Sequence, residues 1–216
     1  MVMSFIAGNG LTWTALGQCV CMINTIFGKD VLPQTKYVFR KLWAGKTQDL
    51  VNYHYLCPSC EGMMKMEGAA GHCDVCQQKA TQKKLRAQGS FFMMLDMEKQ
   101  VKFLIGKTKD ALGESLLRPA ASPDDPITDI TTGKGYRKMR EEAKLAVDDL
   151  TLTINTDGSP VFESSKTSVW PVQFVINELP PHVRFKHPTL AGLWFGKTHP
   201  NMQTFIGTFV KAVNSL

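Results

Sequence analysis

The chain has 216 residues, of which 44% are hydrophobic, enough to bury a core in one or two domains and too many for general disorder. A mean hydropathy of -0.12 and the lack of an unbroken apolar run argue against a membrane-spanning protein, and composition excludes collagen, coiled coil and the disulfide-dense secreted class. The 25 Lys and Arg against 19 Asp and Glu give a net charge of +6, which suits a polyanionic partner without deciding one.

Residues 1–28 carry no charged side chain, and Lys29 is the first. A signal peptide would need a basic start and an apolar block free of Asn9, Thr12, Thr14, Gln18 and Asn24, so a helix reads better. Leu11, Ala15, Leu16, Cys19, Met22, Ile23, Ile26 and Phe27 recur at helical steps, and Gly28 supplies a stop. Cys19 and Cys21 fall on different sides of that helix and read as buried thiols. A second short helix is expected from Thr35 to Trp43.

Cys57-Pro-Ser-Cys60 and Cys73-Asp-Val-Cys76 are two CxxC pairs joined by residues 61–72. Each can form a knuckle that aims two thiolates at one ion, and Cys57, Cys60, Cys73 and Cys76 together predict a closed, structural zinc site. A redox CxxC needs only one pair, disulfides need an oxidising compartment, and iron would fit the same thiolates. His54 and His72 flank the site as surface or supporting histidines, because four cysteines already suffice. The hairpin Gly62-Met-Met-Lys-Met-Glu-Gly68 is too short and polar to pack alone, so metal should supply most of its folding energy.

Residues 79–109 carry Lys79, Lys83, Lys84, Arg86, Lys99, Lys102, Lys107 and Lys109 against Asp96 and Glu98. Such a run either follows phosphates or is a solvated helix face, and no aromatic residue stands among the cations from Lys79 to Arg86 to support base stacking. Lys79, Lys83, Lys84 and Arg86 are the candidate nucleic-acid contacts. Ser90 to Leu95 reads as a strand, followed by a helix capped by Asp96 with Met97, Val101, Leu104 and Ile105 inward.

Residues 113–127, with Gly113, Pro119, Pro123 and Pro126, read as a linker, and a polar helix is expected from Tyr136 to Leu145. Leu150 to Thr156 alternates with period two, and Asp157-Gly158-Ser159-Pro160 is turn chemistry. Val169 to Leu179 is a second strand with Pro171 near its start, and Thr189 to Phe195 a third. Met202, Phe205, Ile206, Phe209, Val210 and Val213 trace a final helix. The expected class is α+β: N-terminal helices (1–50), a zinc ribbon with its following helix (51–112), a linker (113–127) and a β-β-β-α unit (128–216).

The strand ending in Asp157-Gly158, Ser168-Val-Trp-Pro-Val172 and Glu178-Leu-Pro-Pro181 resembles the start of the catalytic domain of DDE-type DNA transposases, in particular the CACTA or En/Spm-like group. Leu56 through Cys60, Cys73 through Cys76, Gly89-Ser-Phe-Phe92, Trp194-Phe195-Gly196-Lys197 and Pro200-Asn201 follow the same plan, and the resemblance covers roughly residues 10–216. It implies a partial RNase H-like domain behind a cysteine ribbon, DNA as partner and a nuclear location. It also implies Mg²⁺-dependent strand cleavage and transfer for the full-length family, with Asp157 as the first catalytic carboxylate. The second Asp and the Glu would lie beyond Leu216, so this chain is expected not to catalyse alone. Glu163 and Glu178 are expected to be solvated or structural; a complete small nuclease built from Asp157, Glu163 and Glu178 ranks last. A non-catalytic zinc-ribbon module that binds nucleic acid or protein is the alternative. The first strand of such a sheet is normally central, so its free edge predicts pairing with another chain.

Overall fold

A computed structural model describes residues 12–35, 48–117, 126–160, 167–196 and 199–216, together with Gly10, Tyr37, Val38 and Lys41. The chain divides into two units, residues 1–50 and 51–216.

In the first unit, α1 spans Trp13–Phe27. Thr12 caps it by accepting from the Ala15 amide at 3.2 Å, and Gly28, at φ 62°, ends it in the left-handed conformation. Its buried line is Leu16, Val20 and Asn24, four residues apart. Asn24 is buried because its amide bridges the returning loop, donating to the Leu32 carbonyl and accepting from the Leu32 amide, both at 2.9 Å. Met22, Ile26 and Phe27 are exposed, and so is Cys21, contrary to the expectation of two buried thiols. Most of the expected helix at Thr35 to Trp43 lies outside the described residues.

The second unit is α+β, with antiparallel sheets. Its strands are β1 (Val51–Tyr55), β2 (Met64–Glu67), β3 (Ala70–Cys73), β4 (Lys79–Thr81), β5 (Phe91–Leu95), β6 (Leu152–Thr156), β7 (Ser159–Pro160), β8 (Ser168–Ile176) and β9 (Thr189–Gly196). Between them run α2 (Gln82–Gln88), α3 (Met97–Leu116), α4 (Lys134–Glu142) and α5 (Pro181–Arg184), and α6 (Met202–Val213) follows β9. The large sheet has the order β1-β5-β9-β8-β6, with β7 also on β8; β2, β3 and β4 form a separate small sheet. Strands from both sides of residues 113–127 therefore share one sheet, through the pairing of Phe92 with Trp194 and of Met94 with Gly192. The expected linker is shortened from its front, since α3 continues to Leu116.

One face of this sheet is the core. Phe92, Met94, Val172, Phe174 and Trp194 lie beneath Phe205 and Phe209 of α6 and Met97 of α3. Farther along, Leu104 and Leu112 of α3 cover Ile176 and Leu179. Asp96 caps α3 by accepting from the Lys99 amide at 3.0 Å, and Asn201 caps α6 at the Thr204 amide.

Register explains why β6 and β7 are separate. Thr156 pairs with Val172 and Ser159 with Val169, so the steps between set Asp157 opposite Pro171 and Gly158 opposite Trp170. Pro171 has no amide hydrogen to donate, and the ladder lapses there. At Gly158 a Cβ would fall inside the Trp170 indole. Gly158→Ala should therefore destabilise the protein by about 1–3 kcal/mol, as overpacking does, and shift Trp170 fluorescence; a melt and spectrum equal to the parent's would refute this close packing.

The Glu178-Leu-Pro-Pro181 turn is held by buried charge. Glu178 is 6% exposed and Arg184 4%. The Glu178 carboxylate accepts from Tyr136 Oη at 2.5 Å, Thr151 Oγ1 at 2.7 Å, the Thr151 amide at 2.9 Å and Arg140 Nη1 at 3.3 Å. Arg184 donates twice to Asp129, at 2.8 and 2.6 Å, and also to the Leu179 and Asn177 carbonyls. Burial would raise the Asp129 carboxyl, but the guanidinium and the Ile130 amide outweigh it and hold it below its ordinary value. Burial first, then the bond to Glu178, push the Tyr136 phenol up.

Candidate metal centre

Two knuckles of the same construction bring the four cysteines together. In the first, the Glu61 amide donates to the Cys57 carbonyl at 2.9 Å and the Cys57 amide to the Gly62 carbonyl at 2.8 Å. In the second, Gln77 bonds Cys73 and Cys73 bonds Gln78 in the same way, both at 3.0 Å. The residue after each second cysteine turns left-handed, Glu61 at φ 58° and Gln77 at φ 59°. Gly62 allows the knuckles to close, since a Cβ there would meet Val75 Cγ2 at 2.9 Å and Cys73 Sγ at 3.1 Å. The β2–β3 hairpin sets their separation.

The sulfur atoms of Cys57, Cys60, Cys73 and Cys76 all lie within 4.8 Å of one another. Neighbouring pairs are 3.5 Å (Cys57–Cys76), 3.4 Å (Cys60–Cys73) and 3.5 Å (Cys60–Cys76) apart. Thiolates about 2.3 Å from a tetrahedral ion would stand about 3.8 Å from each other, so the four fit a metal ion such as zinc after a small expansion. All four are free thiols.

Their local electrostatics favours thiolate unequally. The Cys76 amide, and after it the Val75 amide against the effect of burial, bring Cys73 down to about 7. At Cys60 the Gly62 amide favours thiolate, but the sulfurs of Cys73 and Cys76 and burial outweigh it and push the group up to about 12. A divalent cation at the centre would remove this repulsion between neighbouring sulfurs. Its competition with protons makes the expected pH dependence one-directional: chelator-accessible metal should increase as pH falls from neutral, followed with a colorimetric zinc indicator.

Neither flanking histidine joins the cluster. His54 stacks on Phe92 with ring centroids 4.9 Å apart, and its burial lowers its pKa; His72 lies 4.0 Å from Asp74. The lobe has few other apolar residues: Tyr55, Met64 and Leu85 are buried with Cys57 and Cys73.

The candidate nucleic-acid contacts lie on the same lobe. Lys79 is on β4, and Lys83, Lys84 and Arg86 are on α2, all exposed. No acidic residue occurs between Asp74 and Asp96. Arg86 stacks its guanidinium 4.3 Å from the Tyr53 ring centre and donates from Nε to Tyr55 Oη at 2.7 Å. Those aromatic partners come from β1, about 30 positions earlier in the chain, and were not visible in the basic run itself.

Asp157 is exposed just past β6, and among the described residues it belongs to no group of three or more side chains that could hold a metal ion. Glu178 is consumed by its buried network, and Glu163 lies outside the described residues. No helix among the described residues is long and apolar enough to cross a membrane. No family model, curated protein or solved structure matches the chain.

Proposed function

We propose that the chain is a transposase-derived, DNA-binding protein of the CACTA or En/Spm-like DDE group that carries a structural zinc ion, acts in the nucleus and does not cut or join DNA by itself. The single observation that carries the non-catalytic reading is that, among the described residues, no group of three potential metal ligands includes Asp157. Two-metal phosphoryl transfer needs several oxygen ligands converging on ions about 4 Å apart, and one carboxylate cannot clamp two of them. The antiparallel run β6-β8-β9 followed by α6, with Asp157 at the end of β6, supports the RNase H-like ancestry. The cations of α2 beside four clustered thiolates support DNA contact. A closed thiolate set that leaves no position for substrate suits a structural zinc ion.

The test uses the purified, metal-loaded chain with plasmid and a short duplex. We expect no Mg²⁺- or Mn²⁺-dependent nicking, duplex binding that weakens steeply with salt, and no change of that binding in Asp157→Asn. Nicking that disappears in Asp157→Asn would overturn the non-catalytic reading. Failure to bind DNA, duplex or single-stranded, at about 50 mM salt would overturn DNA binding.

Among the described residues β6 pairs only with β8, which leaves one row of its backbone groups open. We read that edge as the place where another chain adds a strand. Static light scattering should then show a mass that grows with concentration, whereas a monomer throughout would contradict it.

A further inference from the structure

The face of the large sheet opposite the core carries a row of aromatic residues drawn from three strands. Tyr55 pairs with Phe91 and Tyr53 with Met93, and Met93 pairs in turn with Leu193. Alternation then brings Phe195 to the same face. Tyr53 and Phe195 are each 42% exposed, and the Tyr53 and Phe91 rings stand 5.8 Å apart. The helices α3 and α6 cover the other face. At the strand ends a cavity of about 560 Å³ opens beside Arg86, Phe91 and Phe195.

Exposed rings on a sheet are costly to hydrate, and here they adjoin a cationic helix. Arg86 lies over Tyr53 and extends the ring's stack as a charged plane. Lys83, one turn earlier on α2, is its surface neighbour, and Lys84 adds a third cation. Glu61 is the acidic residue on the cavity's rim. Duplex DNA hides its base faces inside the stack and offers phosphates and groove edges, whereas a single strand offers flat base faces together with phosphates.

We infer that this face binds single-stranded nucleic acid, with bases stacked on the exposed rings of Tyr53 and Phe195 and phosphates held by Lys83, Lys84 and Arg86. The inference rests on the nucleic-acid reading above and specifies the form of its ligand. The stacking is indifferent to base identity, because every base has a π face. Oligothymidylate and oligouridylate therefore serve as arms that separate DNA from RNA.

Fluorescence anisotropy of the metal-loaded chain with a labelled oligothymidylate of about 20 nucleotides, the matching oligouridylate and a duplex of the same length tests this. Tyr53→Leu/Phe195→Leu retains apolar bulk and should weaken single-strand binding about tenfold or more, a far larger loss than that of duplex binding. Lys83→Gln/Lys84→Gln should weaken both and flatten the salt dependence. Circular dichroism and metal content establish that each variant is folded. Unchanged single-strand binding in the folded Tyr53/Phe195 variant overturns the inference, as does duplex binding with none to either single strand. Binding to none of the three probes overturns the nucleic-acid reading itself.

Discussion

Removing one cysteine of the proposed metal centre should unfold the whole lobe. Cys73→Ser is expected to lose the ion, as measured by elemental analysis, and with it the β2-β3-β4 sheet and the docking of α2. The lobe buries only Tyr55, Met64 and Leu85 besides its two innermost ligands, too little apolar surface to order some thirty residues. Structural zinc binding at neutral pH is worth about 10–16 kcal/mol in small modules, and here that energy substitutes for a core. The damage should reach farther than the lobe. Tyr55 of β1 and Phe91 of β5 belong both to the lobe and to the large sheet, so hydrogen exchange should quicken across β1 and β5 and remain slow in β8. A stable wild-type protein that holds no metal, or wild-type exchange in Cys73→Ser, would refute the proposed centre.

Breaking the buried Arg184–Asp129 pair should cost less stability than loss of the metal, and leave the metal untouched. Arg184→Met leaves Asp129 without its guanidinium and empties the site that holds the Leu179 and Asn177 carbonyls. Loss of one partner of a buried pair costs about 3–5 kcal/mol, which for a chain of this size lowers the melting temperature by about 10 °C. The pH dependence has a definite sign. Asp129 is held below its ordinary value in the folded protein, so its contribution is complete above the unfolded carboxyl value of about 3.9 and disappears as pH falls through the lower folded value. Arg184→Met should therefore differ most from wild type at neutral pH and converge with it in acid. A pH-independent difference would mean that lost packing, rather than the ion pair, accounts for the effect.

The local elements were legible because their signals are local. The Asp96 cap, the alternation of Leu152 through Thr156 and the stripe of Phe205 and Phe209 each lie within one element, and the two CxxC pairs state their own geometry. What the chain does not advertise is which strands meet. Period-two alternation says that Phe91 to Leu95 is a strand but nothing of its partner, and β9 lies some hundred residues downstream. The region 113–127 looked like a boundary for the same reason: Pro and Gly mark where the backbone turns, not whether the sheet continues across the gap. Buried charge is similarly hidden. Arg184 and Glu178 read as ordinary surface residues until the tertiary fold supplies Asp129, Tyr136 and Thr151 as partners. The aromatic face follows the same rule, since Tyr53, Phe91 and Phe195 become neighbours only through register.

Pro171 gives one backbone position a wider importance. With a secondary amide there, β6 and β7 could zip into one uninterrupted ladder along β8, and the carboxylate-bearing residue opposite would be clamped as an ordinary member of it. The imino ring forbids that closure and leaves Asp157 on a stretch of main chain released from its neighbour. A substitution such as Pro171→Val would thus act at a distance from the acid itself, converting a loose corner of the sheet into a stiff one.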